Sequence, residues 1–166
     1  MMDYSKYAKI VYNIIGAAMV VHSELRWGLL EQVYQEALHL ELLERGIANE
    51  REQLITIHYK DYTLEKKYKM DIVVGNIIVE LKSVTELCAA HRSQLCNYLR
   101  LTKKPIGILI NFGERELIGE RWVYDEESNN CYLVDKQMNP VDENYNGLFC
   151  EDSTDEELGM INERLV

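Results

Sequence analysis

Apolar positions recur at three- and four-residue spacing near the start of the chain, and this spacing predicts helices. The first predicted helix spans residues 4–25, and the second spans residues 29–45 and ends at Gly46. A third helix is predicted over residues 91–101. The stripe predicted to be buried on the second helix consists of Leu30, Val33, Tyr34, Ala37, Leu38 and Leu42.

The remaining apolar runs are short, and they predict strands. Residues 53–59 alternate between polar and apolar positions, and residues 69–82 predict a hairpin. The continuous apolar run at 106–110 is typical of a strand buried on both faces. Residues 117–124 predict one more strand, at an edge of the sheet. The chain therefore mixes helices and strands.

The predicted hairpin has two β-branched runs on either side of the Gly75-Asn76 pair, which predicts a tight turn. If these two residues form the turn, Asp71 faces Glu80 across the strands, and Lys82 lies on the same face. The apolar positions then pair as Val74 with Ile77, Val73 with Ile78 and Ile72 with Val79. The opposite face carries only apolar side chains, those of Ile72, Val74, Ile77, Val79 and Leu81.

Folding alone gives no reason for the two carboxylates to meet, because like charges directly opposite destabilise a strand pair. A hard cation such as Mg²⁺, which binds carboxylate oxygens, would reconcile Asp71 and Glu80. Alternatively, Lys82 and Lys69 would neutralise the two acids in a structural ion cluster. The hairpin by itself does not decide between these two interpretations.

Charge is unevenly distributed along the 166 residues, whose net charge is −10. A hydrophobic fraction of 47% suits one domain with a core. Residues 1–113 contain 14 Lys and Arg against 13 Asp and Glu, whereas residues 114–166 contain 4 against 15. We therefore expect a near-neutral domain over residues 1–124 and an acidic, partly ordered C-terminal extension over residues 125–166.

Other features of the sequence bear on the cellular location of the protein and on whether its cysteines bind zinc. No apolar run is long enough to span a membrane, and the first residues lack the apolar region of a signal peptide. The four cysteines form no C-x-x-C pair, so we expect reduced thiols rather than a zinc site. These features predict a cytoplasmic protein without a membrane partner.

Three motifs follow one another along the chain. They are Gly28-Leu29-Leu30-Glu31-Gln32-Val33-Tyr34, then Asp71 with Glu80-Leu81-Lys82, then Gln94 with Tyr98 four residues later. Together they resemble the GxxExxY proteins, which are placed in the PD-(D/E)XK nuclease-like superfamily. The resemblance covers about residues 5–124, and Met70 stands where the superfamily has a proline.

The resemblance implies a restriction-endonuclease-like α/β core, in which helices flank a mixed central β-sheet. It also implies Mg²⁺-dependent hydrolysis of nucleic-acid phosphodiester bonds, with Mn²⁺ able to substitute for Mg²⁺. The implied metal ligands are the carboxylates of Asp71 and Glu80 and the main-chain carbonyl of Leu81.

The resemblance further implies roles for residues around the metal. Lys82 would orient the attacking water and offset charge on the phosphate, Gln94 would position Lys82 or the water, and Glu31 would reach the metal directly or through water. The implied contacts to the nucleic-acid backbone come from Tyr98, His91 and His22. Taken alone, Glu31 and His22 are also residue types that a helix dipole favours at their positions.

Nucleic acid is the expected partner, with DNA favoured over RNA, and a homodimer is compatible with the resemblance. The alternative function is a catalytically silent interaction module that keeps the nuclease fold, whose acidic tail contacts a basic partner or the protein's own core. The near-neutral domain favours this alternative, because non-specific DNA binding comes largely from Lys and Arg. The intact acid–acid–Lys set favours the enzyme.

Overall fold

In the computed structural model, which describes residues 2–141, two helices precede three strands, and a third helix precedes three more strands. A 3-10 turn at Ser5–Tyr7 leads into the first helix. The elements are α1 (Ala8–Leu25), α2 (Glu31–Glu44), β1 (Glu50–Tyr59), β2 (Tyr62–Val74), β3 (Ile77–Lys82), α3 (Ala89–Thr102), β4 (Ile106–Asn111), β5 (Ile118–Asp125) and β6 (Asn130–Val134). The three predicted helices and the predicted hairpin are therefore confirmed.

The six strands form one mixed sheet in the order β1-β2-β3-β4-β5-β6. Neighbouring strands are antiparallel except β3 and β4, which are parallel. Helix α3 joins these two strands, as expected, because a parallel pair needs a crossover connection. This architecture confirms the predicted α/β class, a mixed central sheet flanked by helices as in restriction-endonuclease-like cores.

A separate apolar core lies on each face of the sheet. Helices α1 and α2 cover the face that the hairpin pattern predicted to be apolar, and the hairpin residues buried there are Ile72, Val74, Ile77, Val79 and Leu81. Helix α3 covers the other face with Leu95 and Leu99, which are fully buried. Gly107 on β4 permits this close packing, since a Cβ atom there would lie 2.9 Å from a methyl group of each of these leucines.

The buried stripe of α2 differs from the predicted one. Leu30 and Val33 are 76% and 41% exposed, whereas Gln35 is buried. The reason is that Tyr34 anchors the helix by stacking its ring on Phe112, with ring centroids 4.4 Å apart. The face centred on Tyr34 therefore turns toward the sheet, and Leu30 and Val33 turn toward solvent.

The sheet continues beyond β5, which was predicted to be an edge strand. Strand β6 pairs antiparallel with β5 and buries Cys131, Leu133 and Val134 in the two cores. The sequence predicted these residues as part of the acidic extension, because acidic and turn-forming residues surround a short apolar run. The remainder of that predicted extension, residues 142–166, lies outside the described residues.

Candidate active site

The site predicted from the hairpin lies where β2 and β3 separate. Their ladder contains the three predicted apolar pairs and ends at Ile72 and Val79, so Asp71 and Glu80 do not extend it as a fourth pair. Asp71 also has no partner in the pairing of β2 with β1, where Ile72 pairs with Arg51 and Met70 pairs with Gln53. The side chain of Asp71 bridges to the facing strand, because its Oδ2 accepts a hydrogen bond from the Leu81 N–H at 2.8 Å.

Asp71 and Glu80 nevertheless come together through their side chains, close enough for each carboxyl group to act on the pKa of the other. Burial, and then the charge of Asp71, raise the pKa of Glu80 well above its usual value, and the charge of Lys82 opposes this shift. Both burial and the neighbouring acid therefore favour the neutral form of Glu80.

One oxygen of this pair lacks a partner. Glu80 is 2% exposed, and its Oε2 is buried without any hydrogen-bond partner. A buried carboxylate oxygen left without a partner is costly, so such an atom calls for an explanation. An acid pair with an unpartnered oxygen is what a site for a hard cation requires, since Mg²⁺ binds through one or two carboxylates.

The lysines do not neutralise this pair as the structural ion cluster requires. Lys82 Nζ donates to Gln94 Oε1 at 2.7 Å, and Lys69 pairs with Glu52 at 3.5 Å. Within residues 2–141, no lysine or arginine forms an ion pair with Asp71 or Glu80. Among the two interpretations of the hairpin, the geometry therefore favours the cation site.

Asp71 is held by a side chain that sequence reasoning missed. Gln35 Nε2 donates to Asp71 Oδ1 at 3.2 Å, and Arg51 Nε donates to Gln35 Oε1 at 3.2 Å. Burial raises the pKa of Asp71, while the hydrogen bonds from Leu81 and Gln35 oppose the shift. The available signal was the spacing, because Gln35 lies four residues after Glu31 and thus on the same face of α2.

Glu31 lies at the start of α2, close enough for its charge to act on the site. Burial raises its pKa, the charge of Lys82 lowers it, and the charge of Asp71 raises it. Among residues 2–141, no three acidic, His or Cys side chains are arranged to hold one metal ion. Glu31 therefore does not complete a three-side-chain ligand set with Asp71 and Glu80 in this conformation.

The loop before α2 explains how the G-x-x-E-x-x-Y motif positions Glu31. Gly28 has a φ of 85°, a conformation that glycine adopts without strain, and its N–H donates to the Phe112 carbonyl at 3.2 Å. The Tyr34 hydroxyl donates to the Arg26 carbonyl at 2.7 Å and accepts from the Leu29 N–H at 3.0 Å. The glycine and tyrosine thus fix the loop to the end of β4, and the glutamate projects from the first turn that follows.

Helix α3 carries a hydrogen-bonded chain to the site. Lys82 donates to Gln94, whose Nε2 donates to the Tyr98 hydroxyl at 2.9 Å, and the Tyr98 ring lies 5.5 Å from that of Tyr68. The four-residue spacing of Gln94 and Tyr98 thus puts them on one face of α3, where they contact each other. His91 caps the same helix, where its Nδ1 accepts from the Cys88 N–H at 3.1 Å.

The two predicted histidines differ in position. Burial, followed by the charges of Lys82 and Arg92, lowers the pKa of His91, so this ring is near the site and favours its neutral form. His22 instead hydrogen-bonds the Glu114 carbonyl at 2.9 Å, and its ring lies 6.3 Å from that of Phe112. His91 therefore lies close enough to Lys82 for that charge to act on it, whereas no described contact joins His22 to the site.

A buried ion pair supports α3 beneath the site. Arg92 Nη2 and Glu120 Oε1 are 2.7 Å apart, and the arginine Nε also donates to both carboxylate oxygens. The Trp122 indole N–H donates to Glu120 Oε2 at 3.0 Å, so this carboxylate is fully partnered. Its role is structural, in contrast with Glu80.

Comparisons with known proteins identify the superfamily of this chain. The family model of the PD-(D/E)XK nuclease superfamily matches residues 8–121, which is more than half of the chain. No curated protein matches the sequence significantly. Within residues 2–141, none of the helices has the length and apolar character that a membrane span requires.

One solved structure, titled "Crystal structure of SSO0001", is similar to this chain at 19% sequence identity with a TM-score of 0.46. The match covers 70% of this chain and 59% of the other, so this chain spans less than two thirds of that protein's length. A likeness of this degree supports no statement about function. The match of the superfamily model, by contrast, includes all three motifs, and the chain belongs to the PD-(D/E)XK nuclease superfamily.

Proposed function

We propose that this protein is one of the GxxExxY proteins and a Mg²⁺-dependent nuclease that hydrolyses phosphodiester bonds of nucleic acid, with DNA favoured over RNA. The observation that carries the proposal is the unpartnered Oε2 of Glu80, buried beside Asp71. Lys82 lies nearby and donates a hydrogen bond to Gln94 instead of forming an ion pair with either acid. Its ammonium group is therefore available to act on the substrate phosphate.

The residues present fit a divalent metal ion. The carboxylates of Asp71 and Glu80 would hold it, together with the main-chain carbonyl of Leu81, and Mn²⁺ would substitute for Mg²⁺. When bound, the ion would polarise the scissile phosphate and make a neighbouring water more acidic. Metal binding would also favour the ionised form of Glu80, since a carboxylate ligand must be deprotonated.

Lys82 would supply the positive charge that the reaction needs. In hydrolysis the water oxygen bonds to phosphorus, the P–O ester bond breaks, and the leaving oxygen takes a proton. Negative charge accumulates on the phosphate oxygens during this exchange, and an ammonium group stabilises it. Gln94, fixed by Tyr98, holds Lys82 Nζ in position at 2.7 Å.

The remaining predicted residues would act around this centre. Glu31 would reach the metal through a water molecule, because it is not part of a three-side-chain ligand set. His91 would face the nucleic-acid backbone from α3, whereas Tyr98 is only 5% exposed and would act through its hydrogen bond with Gln94 rather than contact the backbone as the resemblance implies. His22 stays a prediction, and its hydrogen bond to Glu114 would have to break for it to contact a phosphate.

The test is cleavage of a mixed panel of single- and double-stranded DNA and RNA with Mg²⁺, Mn²⁺ or EDTA. We expect metal-dependent cleavage that Asp71→Ala, Glu80→Gln and Lys82→Ala each abolish. Glu36→Gln, at an exposed position of α2, is the matched control and should cleave as the wild type does. Cleavage by a Glu80→Gln preparation at the wild-type rate would reject the assignment. If no wild-type cleavage occurs with either metal, the silent interaction module is the better description.

A further inference from the structure

Strands β1 and β2 extend well beyond the rest of the sheet. They contain ten and thirteen residues, whereas β3 contains six and pairs with β2 only at residues 72–74. In β2, burial begins at Met70. We call the protruding part, residues 56–68, the arm.

Tyrosine side chains are exposed along the arm. Tyr59 and Tyr62 lie directly opposite each other near its tip and are 60% and 69% exposed, and Tyr68 is also exposed at its base. Ile55 pairs with Tyr68 and Tyr59 pairs with Tyr62, and between these pairs the register shifts at Thr56 and His58. Counting by two from Ile55 along β1 reaches Tyr59, and counting by two from Tyr68 along β2 reaches Tyr62, so alternation assigns the three rings to one face of the arm despite the shift. The two rings near the tip, Tyr59 and Tyr62, are the most exposed of the three.

This face leads into the candidate active site. Tyr68 contacts Tyr98 of α3 with ring centroids 5.5 Å apart, and Tyr98 is joined through Gln94 to Lys82. Ile55, opposite Tyr68, packs in the core under α3. The aromatic face and the catalytic lysine are thus on the same side of the sheet.

The charge of the arm suits a polyanion although the chain as a whole is acidic. The arm carries Lys60, Lys66 and Lys67 against two acids, in a chain with a net charge of −10. Within the described residues, none of these three lysines forms an ion pair. Lys60 Nζ lies 5.3 Å from the centre of the Tyr59 ring, so an aromatic face and an ammonium group are adjacent at the tip.

We propose that the arm binds an unpaired nucleic-acid strand, whose bases stack on Tyr59, Tyr62 and Tyr68 and whose phosphates contact the lysines. Aromatic platforms combined with a basic surface are how proteins bind single strands, and bases inside a duplex do not present free faces for such stacking. The proposal rests on the proposed nuclease function and makes single strands, or single-stranded branches of a duplex, the substrate class.

The experiment measures binding of a fluorescein-labelled oligothymidylate in EDTA, so that no cleavage takes place. Tyr62→Ala should weaken binding by about five- to a hundred-fold, the usual effect of removing one stacking ring. Tyr62→Trp should bind as well as the wild type, and the fluorescence of its indole should be quenched by the bound strand. Tyr12→Ala is the matched control. Tyr12 is a tyrosine of similar exposure, 70%, and it lies on α1, the helix that packs on the opposite face of the sheet.

Binding to duplex DNA of the same length should be weaker and insensitive to Tyr62→Ala. Equal single-strand affinity of Tyr62→Ala and wild type, or an unquenched Tyr62→Trp, would overturn the proposal. A third result would also overturn the proposal: sedimentation shows a dimer, and Tyr62→Ala disrupts this dimer but leaves single-strand binding unchanged. The arm would then be a contact between two copies of the chain.

Failure of the nuclease function gives a different result. If the wild type binds the single strand through Tyr62 but cleaves nothing with Mn²⁺, the arm proposal stands as a binding site and the catalytic assignment fails. If the wild type cleaves but Tyr62→Ala binds and cleaves normally, only the arm proposal fails. Glu80→Gln, which should lose cleavage and keep binding in EDTA, separates the two activities within one chain.

Discussion

Replacing Glu80 by Gln should leave the metal-free protein as stable as the wild type or more stable. The substitution keeps the shape of the side chain and removes its charge. Burial and the charge of Asp71 favour the protonated form of Glu80, which can donate a hydrogen bond, and a Gln amide is a neutral group that can also donate. The variant therefore keeps a hydrogen-bond donor without the cost of ionising a buried group.

The magnitude follows from proton linkage. The folded-state pKa of Glu80 is raised above its ordinary value of 4.5, so between these two values the folded protein binds more protons than the unfolded chain. The free energy of unfolding then falls as the pH rises, by about 1.4 kcal/mol per pH unit for one proton, and becomes constant above the folded pKa. Glu80→Gln should remove the part of this pH-dependent loss of stability that comes from Glu80. The parts that come from Asp71 and Glu31, whose pKa values are also raised, should remain.

Metal should reverse which of the two proteins, wild type or Glu80→Gln, is the more stable. A cation at 100 times its dissociation constant stabilises the native state by about 2.7 kcal/mol, which raises the Tm of a domain of this size by about 5–10 °C. Glu80→Gln should lose most of this gain because it lacks a charged ligand. Wild type should therefore be the more stable protein in Mn²⁺ and the less stable one in EDTA near neutral pH.

The assay is urea unfolding of wild type, Glu80→Gln and the exposed control Glu36→Gln, followed by circular dichroism at several pH values. Each protein is measured in EDTA and in excess Mn²⁺. A loss of several kcal/mol by Glu80→Gln in EDTA, together with no Mn²⁺ response in the wild type, would refute the reasoning. That result would mean that the Glu80 carboxylate is held in a structural ion pair, since breaking a buried pair costs about 3–5 kcal/mol.

Three further predictions concern other parts of the molecule. Gln35→Leu should weaken Mn²⁺ binding about 10–100-fold in calorimetric titration, because a supporting hydrogen bond to a metal ligand is lost; an unchanged affinity would contradict this role. Glu120→Gln should lower the free energy of unfolding by about 3–5 kcal/mol, because it leaves the buried Arg92 guanidinium without a charged partner, and a change below about 1 kcal/mol would mean that the pair is dispensable. Removing residues 142–166 should leave a folded protein that binds nucleic acid more tightly at low salt, because acidic residues are removed. Removing residues 125–166 should instead unfold the protein, because β6 is lost. Similar far-UV spectra and melting temperatures for the two truncated proteins would refute this.

Local sequence pattern was sufficient to predict the hairpin. The Gly75-Asn76 turn and the β-branched runs fixed the register of three strand pairs, because a one-residue slip would expose a whole apolar face. The same pattern placed Asp71 and Glu80 together. It missed the separation of the strands at Asp71, because side-chain competition for the Leu81 N–H leaves no mark on apolar periodicity.

Tertiary contacts decided what the pattern could not. Leu30 and Val33 fit a buried stripe by spacing, but the stacking of Tyr34 on Phe112 sets which face of α2 meets the sheet. Gln35 resembled an ordinary polar residue until the fold brought Asp71 to it. These residues are separated by 36 to 78 positions in the chain, a range over which sequence spacing carries no information.

The hydrogen bond between the Leu81 N–H and the Asp71 carboxylate has a consequence for backbone dynamics. A hydrogen bond from an amide to a main-chain carbonyl does not change its strength with pH, but this amide donates to a group that takes up protons and is predicted to bind metal. Its protection factor, which is the exchange rate corrected for the intrinsic pH dependence of all amides, should therefore report the charge state of the acid pair, whereas the protection factors of neighbouring amides within the regular ladder, such as that of Val79, should not respond. The backbone of β3 would then sense occupancy of the site without any larger movement of the sheet.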